Sequence, residues 1–219
     1  MMQAEIHDRP SFANIRVHLE PGEEIIAEAD AMASMSASIE MKTQWSGGFV
    51  NGVLKRIFGS ESMFVNTFST QSGGDIVLTQ PFPGDIQCLE LNGNTMFLQP
   101  GAFIACEPGV KLGLGWAGFR MFIAREGLFR LKVSGKGRIW FGAYGGIFQR
   151  EIDSDYIVDT GHLVAYEPTI GIQIAMAGGL FSSFFSGEGL VTRVSGPGRI
   201  YMQSRSFDGL AAWTNSHLY

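Results

Sequence analysis

Apolar and polar residues alternate with a period of two through short stretches of this chain, as at Ile15/Val17/Leu19, Ile86/Cys88 and Ile170/Ile172/Ile174. Such alternation predicts half-buried β-strands, because successive side chains on a strand point to opposite faces. One stretch organises the rest: Glu126-Gly-Leu-Phe-Arg-Leu-Lys-Val-Ser-Gly-Lys-Gly-Arg-Ile-Trp140. It recurs as Glu188-Gly-Leu-Val-Thr-Arg-Val-Ser-Gly-Pro-Gly-Arg-Ile-Tyr201, and more faintly over Glu61–Val77. A shorter landmark also recurs, at Pro21–Glu28, Pro100–Glu107 and Thr160–Glu167, where a Gly, a run of β-formers and a Glu six residues after the Gly follow in order. The Gly suits a turn with positive φ, and Pro108 and Pro168 suit strand ends. Gly101 and Gly161 are 60 residues apart, and Arg138 and Arg199 are 61 apart. A fixed period with matching internal landmarks marks repeated structural units.

The pattern therefore predicts an all-β chain in a single domain, residues 1–219, of three repeats of about 11–80, 84–143 and 146–204 around a pseudo-threefold axis. Between landmarks, apolar residues fall three, four and seven positions before each recurring Glu: Phe58, Ile57 and Leu54; Ile123, Phe122 and Phe119; Phe185, Phe184 and Phe181. That spacing fits one face of a short helical turn or an irregular apolar loop. The first unit adds Phe49, Val50 and Val53, so Gly48–Phe58 is predicted to form one short amphipathic helix. Asn92-Gly93 reads as a hairpin turn. The unmatched N-terminal strand Phe12–Leu19 is expected to meet the C-terminal segment and close the ring, which would remove exposed sheet edges.

The segment Gly47–Phe68, followed by Pro83-Gly-Asp-Ile86, Gln99-Pro-Gly-Ala-Phe103 and the repeated Gly-x-Gly motifs, resembles the altered-inheritance-of-mitochondria family of bacterial and mitochondrial proteins. The resemblance covers most of the chain. It implies a fold similar to the tryptophan RNA-binding attenuation protein (TRAP-like), with three short β-helix-like or sandwich units about a pseudo-threefold axis. It implies no catalytic residues, and its mitochondrial members are linked to inner-membrane organisation.

Composition narrows the functional classes. With 29 Gly, 17% charged and 12% aromatic residues, the chain reads as apolar strands joined by tight turns. A net charge of −5 argues against a general nucleic-acid binder, since phosphate neutralisation needs excess Lys and Arg. Cys88 and Cys106 make neither a disulfide framework nor a zinc set, which fits a reducing, cytoplasmic setting. Met1–Asp8 lacks the basic and apolar regions of a signal peptide. Pro168–Gly187 carries no charge over 20 residues, yet its Ile alternation and Gly178-Gly179 read as strand and turn rather than a membrane span.

Candidate chemistry is sparse. Two carboxylate sets recur, Glu28/Glu107/Glu167 and Glu61/Glu126/Glu188; facing an axis, either would share a cation such as Ca²⁺. The favoured alternative is that each Glu caps a strand end or pairs with a neighbouring unit's Arg, such as Arg138 or Arg199, so no metal or other cofactor is expected. Lys111, Arg120, Arg125, Arg130, Lys132, Lys136 and Arg138 face one acid, Glu126, giving this segment +6 and leaving −11 for the remainder. Arg125, Arg130, Lys132, Lys136 and Arg138 are the candidate basic binding face. Phe49, Val50, Leu54 and Phe58 are the candidate contact to a partner or a membrane surface. The tail Trp213–Tyr219 reads as an interaction tag or a disordered end. His7, His18, His162 and His217 form no metal-ligand spacing or catalytic triad, so an enzyme is not expected. The expected function is a non-enzymatic interaction or assembly scaffold, self-associating, with a link to membrane stress or organisation suggested by the resemblance and peripheral membrane contact as one option. A small-ligand or RNA-binding module, using an inter-unit cleft or the basic face, is the alternative.

Overall fold

The computed structural model describes residues 2–45, 64–99, 101–116, 129–176 and 190–218. Alternation gives the strands it should. In β2 (Asn14–Leu19), Ile15, Val17 and Leu19 are buried while Arg16 is exposed. The first third also contains β1 (Gln3–His7), β3 (Glu24–Glu28), β4 (Met32–Met35), β5 (Ile39–Trp45), β6 (Phe64–Thr70) and β7 (Gly74–Leu78). The middle contains β8 (Ile86–Leu98), β9 (Phe103–Cys106), β10 (Val110–Trp116) and β11 (Phe129–Gly142). The last third contains β12 (Ile147–Ile152), β13 (Asp155–Asp159), β14 (Leu163–Tyr166), β15 (Gly171–Met176), β16 (Leu190–Ser195) and β17 (Gly198–Gln203), then helix α1 (Phe207–His217). Strands β9 and β14 are buried at every position, as their unbroken runs Phe-Ile-Ala-Cys and Leu-Val-Ala-Tyr require of strands covered on both faces.

The long strands β8 and β11 pair over almost their whole lengths and carry the largest sheet. Its order is β12-β17-β14-β8-β11-β9-β3-β6-β5, with β10 attached to β11. A four-stranded sheet, β1-β2-β7-β4, and a three-stranded one, β13-β16-β15, complete the all-β architecture. The joins within the large sheet are narrow in two places. Strand β3 meets β9 through Ile26–Cys106 and Ala27–Ala105, and β14 meets β8 through Ala165–Leu98 and Tyr166–Phe97. Side chains do the rest: Trp140, Ile86 and Ile104 join Ile15, Leu19 and Ile76 in one buried cluster. Each such burial contributes roughly 2–3 kcal/mol.

One turn recurs three times, bond for bond. The N–H groups of Ser36, Glu107 and Glu167 donate to the carbonyls of Asp75, Arg138 and Arg199, at 2.8, 2.9 and 3.0 Å. In return the Asp75 N–H donates to Ser36 Oγ at 2.9 Å, Arg138 N–H to Glu107 Oε2 at 2.7 Å, and Arg199 N–H to Glu167 Oε2 at 2.9 Å. Three residues on, Ile39, Val110 and Ile170 each close the turn with a 3.0 Å bond. The capping side chain lies over a glycine: a Cβ added to Gly137 would stand 3.1 Å from the Glu107 Cβ, and one on Gly74 as close to that of Ser36. The counterpart of Glu107 and Glu167 is thus Ser36, whereas Glu28 lies in β3 opposite Val65. The sequence misleads here because the positive-φ residue matching Gly101 (φ 78°) is Asp30 (φ 71°), not Gly22. Asp is one of the few side chains to tolerate that conformation.

Two further expectations are corrected. Asn92-Gly93 does not reverse the chain, because β8 runs through it against β11. Gly93 (φ 95°) and a register shift between Ser134 and Lys136 absorb the extra residue as a bulge, and the Asn92 N–H donates to Asn94 Oδ1. The expected pairing of Phe12–Leu19 with the C-terminal segment is not among the ladders of the described residues. Strand β2 lies between β1 and β7, and β17 between β12 and β14, so both edges of each are occupied. The starts of the three expected repeats do approach one another. Phe12 bridges Gly84 and Gly84 bridges Gly145, with Ala13 N–H donating to the Gly84 carbonyl and Asp85 N–H to that of Gly145. The Gly146 N–H, however, turns to Ser204 Oγ. The predicted helix Gly48–Phe58 lies outside the described residues.

Candidate functional site

The helix that the sequence did not disclose builds the most distinctive surface. Ser206 caps it, its Oγ accepting from the Gly209 N–H at 3.1 Å, and Asp208 adds favourable charge in the first turn. Phe207 docks this helix on the body: its ring stacks on Tyr144 at 4.9 Å and meets Phe82 edge-on at 5.0 Å. No residue of α1 is buried. Phe207, Leu210 and Trp213 remain 47%, 44% and 62% exposed, and Phe12, bridged to Gly84 two residues beyond Phe82, is 73% exposed. The legible signal was Ser206 ahead of Phe207, Leu210 and Ala211, an N-cap before helical apolar spacing.

Beside the helix runs an open groove of about 420 Å³, lined by Tyr144, His162, Ser204, Arg205, Leu210 and Trp213. The His162 Nδ1–H donates to the Gln203 carbonyl at 2.7 Å, which fixes the orientation of the ring. Buried Gln203 fixes this wall by donating to the Gly161 carbonyl and accepting from the Tyr144 N–H. No group of three or more His, Cys, Asp or Glu side chains that could hold a metal occurs among the described residues. Glu107 is engaged otherwise, forming an ion pair with Arg138 at 2.7 Å. Glu61, Glu126 and Glu188 lie outside the described residues.

The basic candidates do not make one exposed face. Lys132 and Lys136 are exposed, but Arg130 is only 3% exposed and donates to the Tyr166 hydroxyl. Burial pushes that hydroxyl's pKa up, and Arg130 draws it part of the way back. Arg138 turns inward, stacking over Trp140 and donating to the Met2 carbonyl at 2.6 Å. Arg125, and the apolar candidates Phe49, Val50, Leu54 and Phe58, lie outside the described residues. Burial lifts the thiols of Cys88 and Cys106 to about 11 and about 12, so neither is a nucleophile at neutral pH.

A charged pair occupies one ladder position three times: His18–Asp75, Glu90–Arg138 and Glu151–Arg199 face each other across paired strands. The first inverts the polarity and makes it titratable. Asp75, 2.7 Å from His18 Nδ1, holds the imidazole above its ordinary value near 6.5, by its hydrogen bond and then its charge, with Glu20 and Glu23 adding to it. The pair's contribution is complete below the ordinary value and drains away as pH rises through the raised one. Asp75→Asn is expected to return the His18 titration midpoint, read by NMR, toward 6.5. An unmoved midpoint would show that Asp75 is not the cause.

The molecule is thus an all-β protein whose strand framework carries the exposed apolar side chains of α1, docked through Phe207 on Phe82 and Tyr144. The chain belongs to the Mitochondrial biogenesis AIM24 family, whose model matches residues 4–205. This is the family that the Gly47–Phe68 segment resembles. An uncharacterized protein of Streptococcus pyogenes serotype M6 is 25% identical over 216 residues, covering 94% of this chain and 87% of the relative. An X-ray crystal structure of a Streptococcus pyogenes protein, from a structural genomics consortium, superposes with a TM-score of 0.80 over all of both chains at 24% identity, a likeness of fold. Among the described residues no helix is long and apolar enough to cross a membrane.

Proposed function

We propose that this chain is a non-enzymatic interaction scaffold, three copies of one β unit held so that their starts converge at one end, where an apolar surface receives a protein partner. The carrying observation is the exposure of Phe207, Leu210 and Trp213 along α1, with Phe12, bridged to Gly84, also exposed. An eleven-residue helix with no buried residue is too short to be stable by itself and gains from a partner that covers its apolar side. The thrice-repeated turn bonds support the three-copy reading. The groove is open to solvent on one side, which favours a partner surface over an enclosed small-ligand site. Helix α1 carries no Lys or Arg, so it lacks the charge that draws amphipathic helices to anionic membranes. The family's description, mitochondrial biogenesis, is compatible with a scaffolding role.

The test is quantitative affinity capture from the native host with the wild-type chain and with the double variant Leu210→Asp/Trp213→Asp. A protein held by the wild type and reduced about tenfold by the variant is expected, with unchanged circular dichroism. Identical capture by both chains, or flotation of the wild type with lipid vesicles in place of protein capture, would remove this reading.

A further inference from the structure

We infer that strand β12 is a self-association edge, on which a second copy of this chain adds its own β12 antiparallel across a two-fold axis. The inference is independent of the surface around α1. Strand β12 is the end strand of the ten-stranded sheet and pairs with β17 alone among the described residues. The other end, β5, runs directly into residues outside the described set. Because the Ser204 N–H donates to the Gly146 carbonyl, the residues of β12 that exchange hydrogen bonds with β17 are Phe148, Arg150 and Ile152. The backbone N–H and C=O groups of Ile147, Gln149 and Glu151 therefore point away from the sheet. An edge strand with such groups is a template for another strand.

The molecule contains its own example of how this position is filled. Strand β2 stands against β7 as β12 stands against β17: His18 faces Asp75 where Glu151 faces Arg199, and Ile15 faces Leu78 where Phe148 faces Met202. The outer edge of β2 is covered by β1, antiparallel, which sets Ile6 directly against Ile15. Ile15 is fully buried there, whereas Phe148 is 49% exposed. No proline or bulge interrupts Ile147-Phe-Gln-Arg-Glu-Ile152, and its two charges, Arg150 and Glu151, are of opposite sign.

Self-complementarity singles out a second copy. Only a register centred on Gln149 sets all three outward residues against outward residues: Gln149 against the partner's Gln149, and Ile147 against the partner's Glu151. That register also places each Phe148 directly opposite the partner's Arg150, an apolar and cation–π contact. No like charges face each other. Moving the centre to Arg150 would set two guanidinium groups together and lose a bonded pair. Arg150 already lies over the Tyr156 ring at 4.3 Å, so its aliphatic stem is held near the place where the partner's Phe148 would rest.

Sedimentation and native mass spectrometry of the full chain test the inference. The wild type should be dimeric. Gln149→Pro removes an outward N–H while sparing the β17 ladder, and Phe148→Asp removes the apolar contact; each should weaken the dimer by about tenfold or more without changing circular dichroism. Gln149→Cys should cross-link to itself under oxidation, since paired Cα atoms stand about 5.5 Å apart, within disulfide range. Glu151→Cys should not, its two copies lying about 14 Å apart. A monomeric wild type, a dimer indifferent to both substitutions, or cross-linking by Glu151→Cys instead of Gln149→Cys would each overturn it. Capture of a foreign extended peptide by a monomeric chain counts among the overturning results.

Discussion

Gly84→Ala is expected to destabilise the protein by about 4 kcal/mol or more, a large fraction of the stability of a typical domain. A methyl group at that position would lie 1.8 Å from the Ala143 carbonyl oxygen, a backbone atom with no room to retreat. Gly84 is where the bridges from Phe12 and Gly145 converge, so the clash strikes all three parts of the chain at once. Gly93→Ala is the control. Its φ of 95° strains any side chain, yet nothing stands within 4 Å of the added carbon, so about 1 kcal/mol is expected. Denaturant unfolding compares the two. Equal losses would mean that the close approach at Gly84 is relieved by backbone adjustment.

The second large effect is expected at Arg9→Ala. Asp85 is nearly enclosed, its side chain 5% exposed, and Arg9 grips it with two bonds of 2.7 and 2.9 Å. The Ile86 N–H adds a third at 2.9 Å. Removing the guanidinium leaves a buried carboxylate with that single donor. Fully buried pairs lose 3–5 kcal/mol when broken, but Arg9 is 45% exposed and water reaches the vacated side, so about 2–3 kcal/mol is expected. That corresponds to a Tm lower by about 5–10 °C. Arg9→Lys keeps charge without the two-pronged geometry and should fall between. A Tm unchanged in Arg9→Ala would show that Asp85 is satisfied without it.

Pattern reading recovered what alternation encodes. The strands around Ile15, Ile86, Ile139 and Ile200 follow from period two; the expected pairing of Glu with an Arg of a neighbouring unit is replaced by contacts within one predicted repeat, at Glu107–Arg138 and at the Glu167–Arg199 backbone bond. It failed where one chemistry replaces another. Ser36 performs the capping of Glu107 with a hydroxyl, and Asp30 the turning of Gly101 with a side chain, so letter-matching set Glu28 in the wrong place. It also failed where context decides exposure. Arg130 and Lys132 share a strand face, but Tyr166 closes over the first and leaves the second in water. Strand β1 escaped notice because five residues alternating Gln, Ala, Glu, Ile and His carry little apolar signal alone; pairing with β2 supplies what propensity does not.

The two-rung joins between β3 and β9 and between β14 and β8 set a tolerance for the whole assembly. Ala27, Ala105 and Ala165 occupy them, each with zero exposure. They act as thin spacers: one methyl group fixes how closely neighbouring parts of the sheet approach, so a bulkier residue there would wedge the joint apart along its narrowest line.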